Sequence, residues 1–160
     1  MIEVAITDDQ RNRAAQLYDF EVLNNSISKG WSNKFGALGE VIVADHFKER
    51  DVNTESTYDY DLIVDGYKID VKSKQTNVKP LPHYLATVAS FNTTQDCDFY
   101  LFTRITKDLS KGWILGYIKP SEFYRLADFV NKGDLDVNGW EFKADCYNLK
   151  IKDLNPLGLR

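Results

Sequence analysis

The sequence contains one strong β-hairpin pattern. Two runs that alternate between apolar and polar residues, 58–64 and 67–74, flank the pair Asp65-Gly66. An Asp-Gly pair between alternating runs is the strongest short-range signal for a two-residue hairpin turn, because both turn positions adopt a positive φ. The pattern therefore predicts two antiparallel strands with a defined register, whereas a three-residue loop would shift every pair by one.

Strand alternation gives this hairpin an apolar face and a charged face. The residues of the predicted core face are Tyr60, Leu62, Val64, Tyr67, Ile69 and Val71, and those of the charged face are Asp59, Asp61, Lys68, Asp70, Lys72 and Lys74. The two-residue turn places Asp61 directly opposite Asp70, where like charges destabilise a strand pair. A face that is merely solvated needs no function, but it would favour Lys opposite Asp. Two carboxylates this close suit a hard cation such as Mg²⁺ or Mn²⁺.

Lys72 and Glu40 extend this candidate metal site. Lys72 lies two residues beyond Asp70, about 6–7 Å farther along the same face, where its ammonium can reach an attacking water or a phosphate oxygen of a bound substrate. Glu40 belongs to an otherwise apolar predicted helix, where an unpaired carboxylate is costly. Glu40 is therefore predicted either to reach solvent at the helix edge or to lean over the hairpin and join the metal ligands.

The remaining pattern predicts a mixed α/β fold built on one sheet. Thr7 and Gln10 have the spacing of a capping box, and Gly36 and Gly39 in the second helix predict close packing against another backbone. The predicted elements are a helix from 8 to about 24, a buried helix at about 33–49, the hairpin, a polar loop at 75–95, strands at 98–105 and 113–118, a helix from 120 to about 130 and a strand at 146–152. This order, without a linker-like segment, predicts a single domain over residues 1–160.

Composition narrows the classes of protein that the chain can represent. The net charge of −4 argues against a wholly basic nucleic-acid coat but permits a local basic groove beside an acidic metal site. Cys97 and Cys146 are too few for a disulfide scaffold, and with His46 and His83 they lack zinc-ligand spacing. No apolar run approaches the roughly 20 residues that span a bilayer. Without a signal-like N-terminus, the sequence predicts a soluble cytoplasmic protein that does not bind membranes.

Glu40 in a glycine-containing helix, Asp61 on one strand and Asp70-Val71-Lys72 on the next resemble the PD-(D/E)XK nuclease superfamily. Tyr60 stands where the motif name has proline. The resemblance covers roughly residues 34–119 and implies a restriction-endonuclease-like core, in which a central mixed β-sheet is flanked by α-helices. It also implies divalent-metal-dependent hydrolysis of phosphodiester bonds, with a DNA endonuclease as the first expectation.

The same resemblance implies a role for each motif residue. Asp61 and Asp70 would bind Mg²⁺ or Mn²⁺ together with the Val71 backbone carbonyl, and Glu40 would complete the site directly or through water. Lys72 would orient or deprotonate the attacking water and stabilise the transition state. The implied catalytic residues are thus Glu40, Asp61, Asp70 and Lys72.

Further side chains are candidates for contacts with nucleic acid, although each also fits an ordinary surface or core position. They are Lys68, Lys74, Gln75 and Lys79 near the hairpin, Arg11, Arg13, Lys29 and Lys34 as a second basic patch, and Trp31 and Tyr84 as base-stacking aromatics. The expected partner is DNA, and a homodimer is expected because cutting both strands of a near-symmetric duplex requires two sites. Two alternatives remain: an RNA-cleaving protein of the same architecture, and a non-catalytic module that uses the acidic hairpin face to bind a protein or nucleic acid.

Overall fold

The described part of the chain folds into two β-sheets and three α-helices. The computed structural model describes the backbone of residues 1–24 and 30–158, and the side chains of residues 1–17 and 34–158. The helices are α1 (Asp8–Asn24), α2 (Gly30–His46) and α3 (Pro120–Leu126). The strands are β1 (Ile2–Ala5), β2 (Val52–Thr54), β3 (Leu62–Val64), β4 (Tyr67–Thr76), β5 (Leu85–Ala89), β6 (Phe99–Thr106), β7 (Lys111–Ile118), β8 (Asp128–Val130) and β9 (Cys146–Lys150). Short 3₁₀ turns span Ser90–Asn92 and Ile151–Asp153.

Strand β4 lies inside the larger sheet, whose order is β1-β7-β6-β4-β3-β2. It pairs in parallel with β6 and antiparallel with β3, so the sheet is mixed. A parallel pair needs a crossover connection, which is usually a helix. Here the crossover contains β5, which joins a second sheet of order β5-β9-β8. The prediction of one sheet is therefore wrong, and the predicted polar loop at 75–95 contains a strand.

The larger sheet is covered on both faces. On one face it packs against α1 and α2, in a core that contains Leu38 and Leu101. On the other face it packs against the smaller sheet and α3, in a core rich in aromatic residues that includes Tyr100 and Phe102. Because successive strand residues point to opposite faces, Asp70, which aligns with Tyr100, lies on the second covered face. The charged side of the hairpin is therefore not a solvated outer surface at this position.

The hairpin has the predicted two-residue turn and register. Leu62 is the partner of Ile69, and the turn residues Asp65 and Gly66 have φ values of 50° and 86°. These values belong to the turn type that Asp-Gly favours. One residue of the predicted core face differs, because Tyr67 follows the turn directly and is exposed.

The helices confirm one local prediction and correct another. Thr7 and Gln10 form the reciprocal capping box at the start of α1, with backbone-to-side-chain hydrogen bonds of 3.0 and 3.1 Å. In α2, a Cβ atom on Gly39 would lie 1.9 Å from Ser73 Oγ, so this glycine does permit close packing, although against strand side chains rather than another backbone. Gly36 has no atom within 4 Å of such a Cβ, and the prediction of close packing there is wrong.

Several boundaries differ from the predicted ones because tertiary pairing overrides local pattern. Helix α2 begins and ends earlier than the predicted 33–49. The helix predicted to reach about 130 ends at Leu126, since residues 128–130 pair with β9 as strand β8. The last predicted strand ends at Lys150 and continues as a 3₁₀ turn. Within residues 1–24 and 30–158, no helix combines the length and apolar character needed to cross a bilayer.

Candidate active site

The candidate site lies where β3 separates from β4. Strand β3 pairs with β4 only from Leu62 to Val64, whereas β4 continues to Thr76. Just before β3, the Asp61 N–H donates to the Ile69 carbonyl at 2.9 Å. Two residues farther along β4, the Val71 N–H donates to Asp61 Oδ2 at 2.7 Å instead of to a backbone carbonyl. The N–H and C=O groups of one strand residue face the same edge, so the Val71 carbonyl lies on this open edge as well.

Three carboxylates meet at this edge. Glu40 and Asp70 are buried, with 7% and 4% exposure, and Glu40 Oε2 accepts a hydrogen bond of 3.0 Å from Ser56 Oγ. Burial raises the pKa of Asp61 well above its usual range, and the charges of Glu40 and Asp70 raise it further. Burial also raises the pKa of Asp70, although Lys72 opposes this effect. The cluster therefore favours uptake of positive charge, either as protons or as a cation.

Lys72 is held between Asp70 and Gln95. Its ammonium lies 2.6 Å from Asp70 Oδ2 and donates to Gln95 Oε1 at 2.6 Å. The Gln95 amide nitrogen in turn donates to Asp70 Oδ1 at 3.2 Å and to the Tyr58 carbonyl at 2.7 Å. The lysine side chain is 15% exposed, and its ammonium lies 5.5 Å from the centre of the Tyr100 ring. These contacts fix the position of the one ammonium that the acidic cluster contains among the described residues.

Gln95 is a site residue that the sequence analysis misses. It lies on the crossover between β4 and β6, in the segment predicted to be a polar loop. The parallel pairing aligns Asp70 with Tyr100, and this alignment brings the residues just before β6 beside the start of β4. A local pattern contains no signal for such a pairing, because it depends on strands about 30 residues apart.

The donor atoms around this site are of the kind that hard divalent cations prefer. Within the described side chains, no group of three or more His, Cys, Asp or Glu residues is placed so that it could hold a metal ion. Asp70 Oδ2 is nevertheless a buried oxygen that accepts no hydrogen bond, and its close partner is the Lys72 ammonium, in an ion pair of 2.6 Å. The carboxylates of Glu40, Asp61 and Asp70 and the Val71 carbonyl offer only oxygen, which Mg²⁺ and Mn²⁺ prefer.

The four residues predicted to contact nucleic acid near the hairpin occupy different surroundings. The Lys68 ammonium lies 5.2 Å from the centre of the Tyr60 ring. Lys74 is exposed on the same face of β4 as Lys72, and Lys79 is exposed in the β4–β5 connection. Gln75 is half-buried and, by strand alternation, lies on the opposite face of β4. The structure thus places Lys68 and Lys74 on the strand face that carries Asp70, and Gln75 away from it.

The predicted second basic patch is occupied by structural contacts. Arg11 donates to the Ile6 and Leu109 carbonyls at 2.9 and 3.0 Å. Arg13 forms a bidentate pair with Asp45 of α2, at 2.9 and 2.5 Å, and so ties α1 to α2. Lys34 is half-buried, and the predicted Lys29 and Trp31 side chains lie outside the described residues.

Tyr84 is half-buried and packs against Arg104, whose guanidinium carbon lies 5.4 Å from the ring centre. No protein-family model and no curated protein matches this chain. The chemistry and geometry of the described site residues are therefore the basis for a functional assignment.

Proposed function

We propose that this chain is a divalent-metal-dependent nuclease of the PD-(D/E)XK superfamily that hydrolyses phosphodiester bonds, with DNA as its substrate. The observation that carries the proposal is the meeting of Glu40, Asp61, Asp70 and Lys72 at one largely buried position. These residues come from α2, the start of β3, and β4. The arrangement of α1 and α2 against one face of a mixed sheet supports a restriction-endonuclease-like core.

Charge balance favours a metal site over a structural ion-pair cluster. Asp61 and Asp70 lie beside one ammonium, that of Lys72, among the described side chains, so these two carboxylates carry an excess of negative charge when both are ionised. Buried charge without compensation is costly, and a purely structural cluster would gain stability from a second basic residue or from apolar replacements. A bound divalent cation would offset this cost.

The proposed chemistry assigns a task to each residue. Asp61, Asp70 and the Val71 carbonyl would hold the cation, and Glu40 would complete the ligand set directly or through water. A bound divalent ion supplies a water of lowered pKa and neutralises charge on the phosphate. Lys72 Nζ, as an ammonium beside Asp70, would orient the attacking water and stabilise negative charge in the transition state. Gln95 keeps that ammonium beside Asp70.

Calorimetric titration of Mg²⁺ and Mn²⁺, paired with a plasmid-nicking assay, tests the proposal. The wild type is expected to bind metal and nick DNA, and Asp70→Asn to lose both. Lys72→Met is expected to keep metal binding while its nicking rate falls about 10²–10⁴-fold. Asp128→Asn, an exposed aspartate on β8, is the matched control and should behave as the wild type.

Two results would contradict the proposal. One is a wild type that neither binds metal nor nicks DNA, and the other is an Asp70→Asn variant that nicks at the wild-type rate. Metal binding with cleavage of RNA instead of DNA would keep the chemistry and change the substrate. A two-fold dimer stays a prediction, and a monomeric mass in light scattering would exclude it.

A further inference from the structure

Two cations lie side by side in a cleft between the two sheets. Lys74 on β4 and Arg104 on β6 are register partners in the parallel pair, so their side chains share one face of the sheet. Residues Leu85–Thr87 of β5 also line this cleft, and it extends to Lys72. We call the space bounded by Lys74, Arg104 and Leu85–Thr87 the cationic cleft.

Arg104 is buried in the cationic cleft without a counter-charge. The residue is 8% exposed, and Nη2 donates to the Leu85 carbonyl at 2.9 Å. Nε is buried and has no hydrogen-bond partner, and no carboxylate in the described part of the chain forms an ion pair with the guanidinium. A cation enclosed in this way carries a desolvation cost that one carbonyl and the Tyr84 ring offset only in part.

Lys74 adds a second positive charge at the same place. Although its side chain is exposed, desolvation by the surrounding protein lowers its pKa, and the charge of Arg104 lowers it further. Among the residues that the structure describes, Lys74 forms no ion pair or side-chain hydrogen bond. Like charges at neighbouring positions of paired strands destabilise a sheet. The charge of Asp136 acts favourably on Lys74, and a bound anion would offset more of the repulsion between the two cations.

The position of the cleft identifies the kind of anion. Lys72, which belongs to the candidate active site, also lines the cationic cleft, and Lys74 lies about 6–7 Å farther along the same strand face. A planar guanidinium matches the oxygens of a phosphate group. We propose that Arg104 and Lys74 bind a backbone phosphodiester of the nucleic-acid substrate, beside the phosphodiester that is hydrolysed. This subsite rests on the proposed nuclease function.

A phosphate subsite and a purely structural arginine predict opposite effects of Arg104→Met on stability. If Arg104 serves mainly to bind Leu85 and Tyr84, the substitution lowers the thermal midpoint. If it is held ready for an anion, the variant is as stable as the wild type or more stable in phosphate-free buffer, because an uncompensated buried charge is removed. Inorganic phosphate, compared with chloride at equal ionic strength, then raises the midpoint of the wild type but not that of Arg104→Met.

Binding to nucleic acid is measured with the full chain and a labelled duplex in EDTA, which prevents metal-dependent cleavage. Arg104→Met is expected to weaken binding about tenfold, since it removes a charged hydrogen-bonding contact. For Arg104→Met, the plot of log affinity against log salt concentration should become less steep by about 0.9, the value for one phosphate contact on duplex DNA. Arg104→Lys should restore part of the affinity, because charge returns without the planar fork. A DNA duplex and an RNA duplex of the same sequence distinguish the two sources of the phosphodiester.

Two further variants complete this experiment, one as a control and one as a second test of the subsite. Arg125→Met removes the same charge from an exposed arginine of α3 and should leave affinity and salt slope close to the wild-type values. Lys74→Met changes an exposed side chain, so it tests the subsite even if Arg104→Met does not fold. In the double variant the two losses of affinity should be less than additive, because both cations act on one phosphate.

The outcomes separate failure of the subsite from failure of the nuclease proposal. A wild type that nicks DNA, with Arg104→Met and Lys74→Met binding as tightly as the wild type, would overturn the subsite alone. A lower thermal midpoint of Arg104→Met without phosphate would overturn it as well, in favour of a structural arginine. If inorganic phosphate stabilises the wild type but not Arg104→Met, and the wild type binds neither duplex, the assignment of the subsite to nucleic acid would be overturned.

Discussion

Alanine substitutions at the two glycines of α2 are expected to have opposite effects on stability. At Gly39 a Cβ would lie 1.9 Å from Ser73 Oγ and 2.8 Å from Thr103 Oγ1, hydroxyls that are hydrogen-bonded to each other at 2.7 Å. Rotating the serine away breaks that bond but leaves its Cβ only 3.1 Å from the new methyl group. Overpacking of this kind costs about 1–3 kcal/mol. At Gly36 no atom lies within 4 Å of the position that a Cβ would take. Alanine there should therefore increase the free energy of unfolding by about 0.5–1 kcal/mol through its higher helix propensity.

Urea unfolding followed by circular dichroism measures both variants against the wild type. Gly39→Ala should lose about 2 kcal/mol, which corresponds to a thermal midpoint lower by about 4–8 °C for a chain of this size. Its activity should also fall, because a displaced α2 carries the adjacent Glu40 away from Asp61. Gly36→Ala should be slightly more stable than the wild type and equally active. Equal stability changes in the two variants, of either sign, would refute the assigned contact between α2 and the strand hydroxyls.

Two further predictions concern the acidic cluster and its lysine. Because the folded-state pKa of Asp61 is raised, its contribution to stability is present below the ordinary Asp pKa of about 3.9 and is lost as pH rises through the folded-state pKa. The free energy of unfolding of the metal-free wild type should thus fall as pH rises over this window, and that of Asp61→Asn should fall less. Urea titrations in EDTA at several pH values measure both proteins, and the same pH profile for the two would contradict the assigned pKa shift. Gln95→Ala releases Lys72 from one of its two anchors and should lower kcat for nicking roughly 10–100-fold, with metal affinity in calorimetry unchanged. A kcat that remains at the wild-type value would show that Asp70 alone positions the ammonium.

The hairpin was predictable because all of its determinants are local. Alternation sorts the side chains, and Asp65-Gly66 sets the turn, so the pairing of Leu62–Val64 with Tyr67–Ile69 follows from residues within one short stretch. The need of Glu40 for a polar partner could also be argued in advance, because a buried carboxylate on an apolar helix is costly without one. Its particular hydrogen bond with Ser56 could not, because nothing local relates the two residues.

The missed features depend on pairing between distant segments. Strand β5 follows Pro80 and Pro82, in a segment whose polar residues indicate a loop, and it forms a strand because β9 lies beside it. Strand β8 continues an apparently helical pattern until pairing with β9 ends the helix at Leu126. The contact of Gln95 with Lys72 likewise requires the parallel alignment of β4 with β6. Short edge strands and parallel pairs leave weak traces in a sequence because their stability comes from partners elsewhere in the chain.

The crossover between β4 and β6 links the position of the Lys72 ammonium to the pairing of β5 with β9. Gln95 lies on this crossover, which is tied down by pairing of residues 85–89 with residues 146–150. Their amide groups are therefore expected to exchange with deuterated solvent as one cooperative unit, separate from the six-stranded sheet. Opening of that unit would release Lys72 from Gln95 while the hydrogen bonds between β4 and β6 stay intact. Catalytic inactivation on heating would then precede global unfolding, with the molecule inactive yet still largely folded.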